Sequence, residues 1–247
     1  MKYTLPLTMT LLSLASLVAC NDSSTVNDQS KTNGGNPVEM ISADGSNVEG
    51  FYAGNIFPIN HNLHFKKLGM IGVTRSGDEF NVKIRMENAP RNAQIRHSLY
   101  SSTRCPTMQD DLNKDAFIDI REARIALGEI VIPFDGDLSS QKAGLATTQV
   151  SDLSGNYVYS RSTSFDLMFS DLKAQDSILP SYMRKLNDGE GLGLAGKVVL
   201  FQGVSPQVTL PKTVQDGSDG MALHDSIPFG CAILWKVPSA PEELNTL

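Results

Sequence analysis

Among its 247 residues the chain has only three Cys, four His and one Trp. That scarcity narrows its chemistry, because a mononuclear metal enzyme usually gathers three or more imidazoles or thiolates at one place. There is no basic run, and 21 Lys and Arg stand against 27 Asp and Glu for a formal charge of -6. A nucleic-acid partner held by phosphate neutralisation is therefore not expected. The apolar run over residues 5–18 is shorter than the roughly 20 residues that cross a bilayer. No Gly-x-Ser-x-Gly elbow accompanies His224-Asp225, which argues against a serine hydrolase. Gly189-Glu190-Gly191-Leu192-Gly193 lacks the Lys-Ser/Thr that completes a phosphate loop and reads as a flexible turn. What is present is 40% hydrophobic and 19% charged residues, enough to bury a sizeable core.

The first twenty residues look like an export signal. Lys2 supplies a positive start, residues 5–18 form an apolar h-region, and Leu17-Val18-Ala19-Cys20 closes it. That ending resembles the bacterial lipobox, in which Cys20 carries the lipid, so residues 1–19 are expected to be a lipoprotein signal peptide. Asn21 in the second mature position favours transfer to an outer membrane, facing the periplasm or the cell surface. Acyl chains (palmitate among them) hold a protein firmly, since each buried methylene contributes about 0.8 kcal/mol. Ser, Asn, Asp, Thr and Gly then dominate up to residue 47 without an aromatic residue, so residues 20–47 read as a lipidated N-terminus and flexible tether. Residues 48–247 remain as a single β domain.

In that domain apolar residues alternate and turn signals recur at short intervals, the pattern of antiparallel β structure. Residues 70–74, a turn at 75–78 and residues 80–86 predict a hairpin with Phe80, Val82, Ile84 and Met86 on one face. Further strands are expected at 94–100, 129–134, 157–160, 164–169, 196–202 and 231–237. Helix is sparse: 120–127, stopped by Gly128, and a short piece at 177–186. Many strands with loops of unequal length predict a mainly β fold, a Greek-key sandwich or barrel.

The strongest chemical motif spans residues 111–122. It places oxygen donors at positions 1, 3, 5, 9 and 12 of an EF-hand-type calcium loop: Asp111, Asn113, Asp115, Asp119 and Glu122, with the Phe117 carbonyl at position 7. Ca²⁺ is a hard cation that takes six to eight oxygens, and the acidic residues would repel one another without it. Ile118 at position 8 is expected to point into the core. Position 6 is Ala116, not Gly, at a place where a Cβ costs about 1 kcal/mol. Too few residues precede the loop for a full entering helix, so the expectation is a structural calcium site embedded in a β domain. A surface turn that binds nothing is the alternative.

With Cys20 acylated, Cys105 and Cys231 remain, either joined, as export favours, or as two separate buried thiols. Residues 70–105, the Gly196-Lys197-Val198-Val199-Leu200-Phe201 strand and the final Gly230-Cys231-Ala232-Ile233-Leu234 strand resemble pieces of the copper/zinc superoxide dismutase fold family. The resemblance implies a Greek-key β-barrel and a disulfide between Cys105 and Cys231. Its catalytic residues do not carry over. Where that family has His-x-His, this chain offers only His97; the later copper histidine position is Gln202; the active-site Arg position is Pro228. Copper and zinc are therefore not expected, and calcium would take over the loop-ordering part of zinc.

His61 and His64 lack a nearby carboxylate and read as a surface pair, and residues 205–225 form a long Gly-, Asp- and Pro-rich loop. No catalytic residue is assigned, and the chain is expected not to be an enzyme. The function expected is a calcium-stabilised lipoprotein of the outer membrane, a non-catalytic binding or envelope-associated module. The alternative is a metal-handling protein or divergent dismutase-like enzyme that uses His97 with His61, His64 or His224.

Overall fold

The computed structural model describes residues 49–63, 66–142, 149–180, 183–186, 191–215 and 221–245. The export signal, Cys20, the tether, His64, Gly189 and Glu190 lie outside them. In chain order the elements are β1 (Gly50–Pro58), β2 (Gly69–Ser76), β3 (Glu79–Met86), β4 (Gln94–Tyr100), α1 (Ile120–Leu127), β5 (Ile130–Pro133), β6 (Gln149–Val150), β7 (Tyr157–Ser164), α2 (Phe165–Ser177), β8 (Val198–Gln202), α3 (Leu223–Ser226), β9 (Pro228–Ile233), β10 (Trp235–Val237) and α4 (Glu242–Asn245). Single 3-10 turns lie at His61–Leu63 and Met108–Asp110.

All strand pairs are antiparallel, in the order β5-β4-β8-β9-β1-β2-β3-β7, with β10 on β1 and β6 on β4. The chain leaves β3 on one half of the sheet and resumes as β4 on the other, and it does so again between β7 and β8. These long crossovers make the mainly β, Greek-key architecture that the strand pattern predicts. Ser76 pairs with Glu79, which leaves a two-residue loop in which Gly77 takes φ +59°. Phe80, Val82, Ile84 and Met86 all face the core, as their spacing requires.

Two apolar clusters hold the sheet. The larger joins Ile71, Phe80, Ile84, Ile95, Leu99, Val199, Phe201 and Phe229. The smaller packs Tyr100, Val198, Leu200 and Cys231 against Ile118, Ile120, Ala123 and Leu127. Strand β8 is buried on both faces because alternate residues feed different clusters. It therefore reads as a continuous apolar run.

Several expected elements differ. Residues 164–169 do not continue as strand: Ser164 ends β7, and its Oγ accepts the Leu167 N–H as the N-cap of α2. Asp78, from the β2–β3 turn, accepts the Asp166 N–H at 2.8 Å and the Ser164 hydroxyl at 2.9 Å. These bonds hold the Asp78 carboxyl below its usual range. Capping from a distant hairpin thus overrides the local alternation of Phe165, Leu167 and Phe169. The helix expected at 177–186 is displaced to 165–177; Asp176 accepts the N–H groups of Lys185 and Leu186 and turns the chain back. The strand expected at 231–237 breaks at Leu234, whose backbone pairs with Gly196 and Lys197. Strand β1, punctuated by Gly50, Gly54, Asn55 and Pro58, carries no clear alternation. Gly54 is needed there, since a Cβ would meet the Ile233 carbonyl.

Candidate metal centre

The acidic loop begins where the chain leaves Cys105. Thr107 and Asp110 cap the 3-10 turn reciprocally, and Arg104 grips Asp110 through two bonds of 2.7 and 2.8 Å. That guanidinium holds the Asp110 carboxyl at about 2. From Asp111 the backbone winds around its own side chains. The Asp111 carboxylate accepts N–H groups of Asp115 at 3.3 Å and Ala116 at 2.8 Å. Asn113 Oδ1 accepts from Asp115 at 2.9 Å, and Asp115 Oδ1 accepts from Phe117 at 2.9 Å. Lys114 and Ala116 take φ +59° and +64°, so the left-handed turn expected at position 6 is there despite the Cβ.

The far end of the loop folds back to its start. Asp119 caps α1 by accepting the N–H groups of Arg121 and Glu122. Glu122, half of the same capping box, accepts the Asp119 N–H at 3.1 Å through Oε2. Its Oε1 accepts the N–H groups of Leu112 at 2.9 Å and Asn113 at 3.2 Å. Position 12 thereby reaches back to positions 2 and 3, ten and nine residues earlier.

Neighbouring segments hold this loop from two sides. Ile118 is fully buried in the smaller cluster, and the buried Asn60 amide pairs with its N–H and carbonyl. Asn62 Nδ2 donates to the Ala116 carbonyl at 2.6 Å. On the other side Thr213 Oγ1 donates to Asp115 Oδ2. The Gln215 N–H donates to Asp119 Oδ2 at 3.0 Å, and Arg121 donates to Gln215 Oε1 at 2.8 Å. Residues 205–225 read as a loop in the sequence, and nothing local marks Asn60 or Thr213 as another loop's partner.

Among the described residues no three His, Cys, Asp or Glu side chains gather as a group able to hold a metal ion. The loop's carboxylates stand instead on hydrogen-bond donors. In type the donor set fits a hard divalent cation: four carboxylates, an amide oxygen and a carbonyl, with no nitrogen or sulfur. An oxygen that accepts one N–H keeps a second lone pair.

The histidines stand apart from this loop. His97 is buried with Nε2 2.7 Å from the Tyr157 hydroxyl, while Nδ1 has no hydrogen-bond partner among the described residues. The rings of Phe134, Tyr157, Tyr159 and Phe201 surround it, with Tyr159 edge-on at 4.5 Å. Burial lowers the imidazole to about 3, so it is neutral at ordinary pH. Burial also raises the hydroxyls of Tyr157 and Tyr159. Gln202, at the position of a copper histidine in the resemblance, donates to the Ser226 carbonyl at 3.0 Å. His224 Nε2 lies 2.9 Å from the Val208 carbonyl.

Cys105 and Cys231 are joined, with Cα atoms 5.9 Å apart, as their pairing in an exported chain and the family resemblance both imply. The disulfide ties the start of the acidic loop to β9. Beside it lies a groove of about 340 Å³ lined by Asn55, Phe57, Ile59, Pro106, Ile233 and Trp235. Phe57 and Trp235 are 58% and 42% exposed, and neither stood out in the sequence.

No family model and no curated protein matches the chain. Among solved structures, a double mutant of a SOD-like protein from Bacillus subtilis is similar at a TM-score of 0.36 and 12% identity, covering 74% of this chain and 96% of that one. Residue roles do not pass to this chain at that distance, and its fold stands on its own strand order and register.

Proposed function

We propose that this chain is a bacterial outer-membrane lipoprotein, anchored through acylated Cys20, whose β domain carries one structural calcium ion in residues 111–122. The domain acts as a non-catalytic binding or envelope-associated module. What supports the calcium reading most is the course of the loop: positions 4 and 6 are left-handed, and Glu122 returns to the backbone of positions 2 and 3. A twelve-residue loop that closes on itself with only oxygen donors suits a hard cation better than an open turn. The anchor rests on the Leu17-Val18-Ala19-Cys20 ending and its distance from the chain start. The His-based alternative gains no support from the site, because His97 sits in an aromatic cage and His224 on a backbone carbonyl.

Two measurements on the full-length protein test this. Radiolabelled palmitate should enter the wild type and be lost in Cys20→Ala, and equal labelling of both refutes the anchor. Isothermal titration of the detergent-solubilised mature chain should give one calcium per chain, with melting lowered by chelator. No heat of binding at millimolar calcium, together with unchanged melting, refutes the ion.

A further inference from the structure

Cys231 sits between two unlike neighbours. Strand β8 sets the fully buried Leu200 opposite it on one side, and β1 sets the exposed Phe57 opposite it on the other. Residues directly opposite on antiparallel strands bring their side chains within about 5 Å, so the Phe57 ring stands beside the disulfide. The two half-cystines differ in the same way. Cys231 is 2% exposed, whereas Cys105 is only partly buried, and both line the groove that Phe57 and Trp235 flank. No residue lining that groove is charged, although the chain carries a formal charge of -6. An anion that approaches the bridge therefore meets no carboxylate on the groove wall. The nearest guanidinium in the chain, Arg104, is already committed to Asp110.

We infer that the Cys105–Cys231 bridge is a site of thiol–disulfide exchange reached through this groove, with a dithiol protein as the exchange partner. A partner thiolate attacks Cys105 Sγ, the more open of the two sulfurs, and forms a mixed disulfide as the Cys105–Cys231 bond breaks. The electron pair of that bond leaves with Cys231 Sγ, which takes a proton. The partner's second thiolate then attacks its own sulfur in the mixed disulfide, and Cys105 leaves and is protonated. Two electrons and two protons thus pass from the dithiol to the bridge, and the reverse sequence restores it. The two exposed rings favour a protein over a small thiol, because aromatic side chains beside a cleft are the anchors that a partner surface covers. Exchange has a structural consequence, since the bridge ties the start of the acidic loop to β9. Its opening releases that end of the loop and leaves the sheet paired. The inference needs neither the lipid anchor nor the calcium ion.

The probe is thioredoxin, with dithiothreitol as the small dithiol for comparison, acting on the detergent-solubilised full chain carrying Cys20→Ala so that only the bridged sulfurs react. Thioredoxin should reduce the bridge faster than dithiothreitol at equal concentration. A thioredoxin whose second active-site Cys is replaced by Ser should be trapped by acid quench as a one-to-one mixed disulfide, and peptide mapping should place it on Cys105. Phe57→Ser combined with Trp235→Ser should slow thioredoxin about fivefold or more, the worth of one interface anchor, and leave the dithiothreitol rate within about twofold. The proposal is overturned if thioredoxin is no faster than dithiothreitol, if no adduct forms, or if the adduct lies on Cys231. It is also overturned if the double variant slows both reductants alike or neither. The adduct is read without the groove variants, so the test stands even where the double variant fails to fold.

Discussion

Asn60 pairs with Ile118 as a neighbouring strand would. Its Nδ2 donates to the Ile118 carbonyl at 2.9 Å and its Oδ1 accepts the Ile118 N–H at 2.7 Å, while a second Nδ2 bond reaches the Pro228 carbonyl at 2.8 Å. One fully buried side chain thus joins the turn after β1, the acidic loop and the start of β9. It lends position 8 of the loop a two-bond backbone-like partner.

Removing that amide leaves three buried backbone groups unpaired. Asn60→Ala should lower the free energy of unfolding by about 2–3 kcal/mol, since each stranded polar group costs on the order of 1 kcal/mol or more. Asn62→Ala, at an exposed site with one bond to the loop, should cost under about 1 kcal/mol. Urea unfolding compares the two, and equal costs would refute the special place given to Asn60.

Ala116 occupies a conformation that a Cβ disfavours. Two effects oppose each other in Ala116→Gly: relief of about 1–2 kcal/mol of left-handed strain, and a loss of about 0.4–1 kcal/mol from a looser unfolded chain. The first is larger, so the variant should gain roughly 0.5 kcal/mol, and its calcium affinity should rise. Ala116→Val should go the other way. A loss of stability in Ala116→Gly, read from thermal melting, would show that the strain is not there.

His97 makes stability depend on pH. Its imidazole is lowered from 6.5 to about 3 by burial, so the unfolded chain binds a proton below pH 6.5 that the folded chain refuses until pH approaches 3. Stability is therefore full above pH 6.5 and falls by up to about 1.4 kcal/mol per pH unit between those limits. His97→Phe should flatten that acid limb while losing some stability at pH 7, where the Tyr157 hydroxyl gives up its partner. Unfolding curves at pH 7, 6, 5 and 4 measure the two slopes; parallel slopes would mean that His97 does not titrate this way.

The disulfide spans 126 residues of sequence. By chain entropy a closed loop of that size contributes about 4–5 kcal/mol. Reduction, or Cys105→Ser with Cys231→Ser, should lower melting sharply and admit protease first near residues 105–122, because the bridge anchors the start of the acidic loop. Unchanged melting in dithiothreitol would refute this.

Some of the fold was legible because neighbouring residues carry it. The alternation in Phe80, Val82, Ile84 and Met86, and the short turn before them, predict the β2–β3 hairpin that forms. Helix α1 follows from its Asp119 cap and its Gly128 stop. The first turn of α2 reads as strand in the sequence because Asp78, which holds the Ser164 cap and the Asp166 N–H, lies 88 residues away from Asp166. Strand β1 was missed because Gly54 serves a close approach to Ile233 and, with Gly50, weakens its alternation.

The site divides in the same way. The order of oxygen donors from Asp111 to Glu122 and the lipobox-like ending at Cys20 are properties of contiguous residues, and the sequence alone states them. Tertiary structure alone decided that Asn60 backs Ile118, that Thr213 and Gln215 brace the two middle carboxylates, and that His97 is enclosed by aromatic rings. A hydrogen bond between residues 58 to 98 positions apart depends on where two backbones meet in space, and no local spacing or periodicity records that meeting.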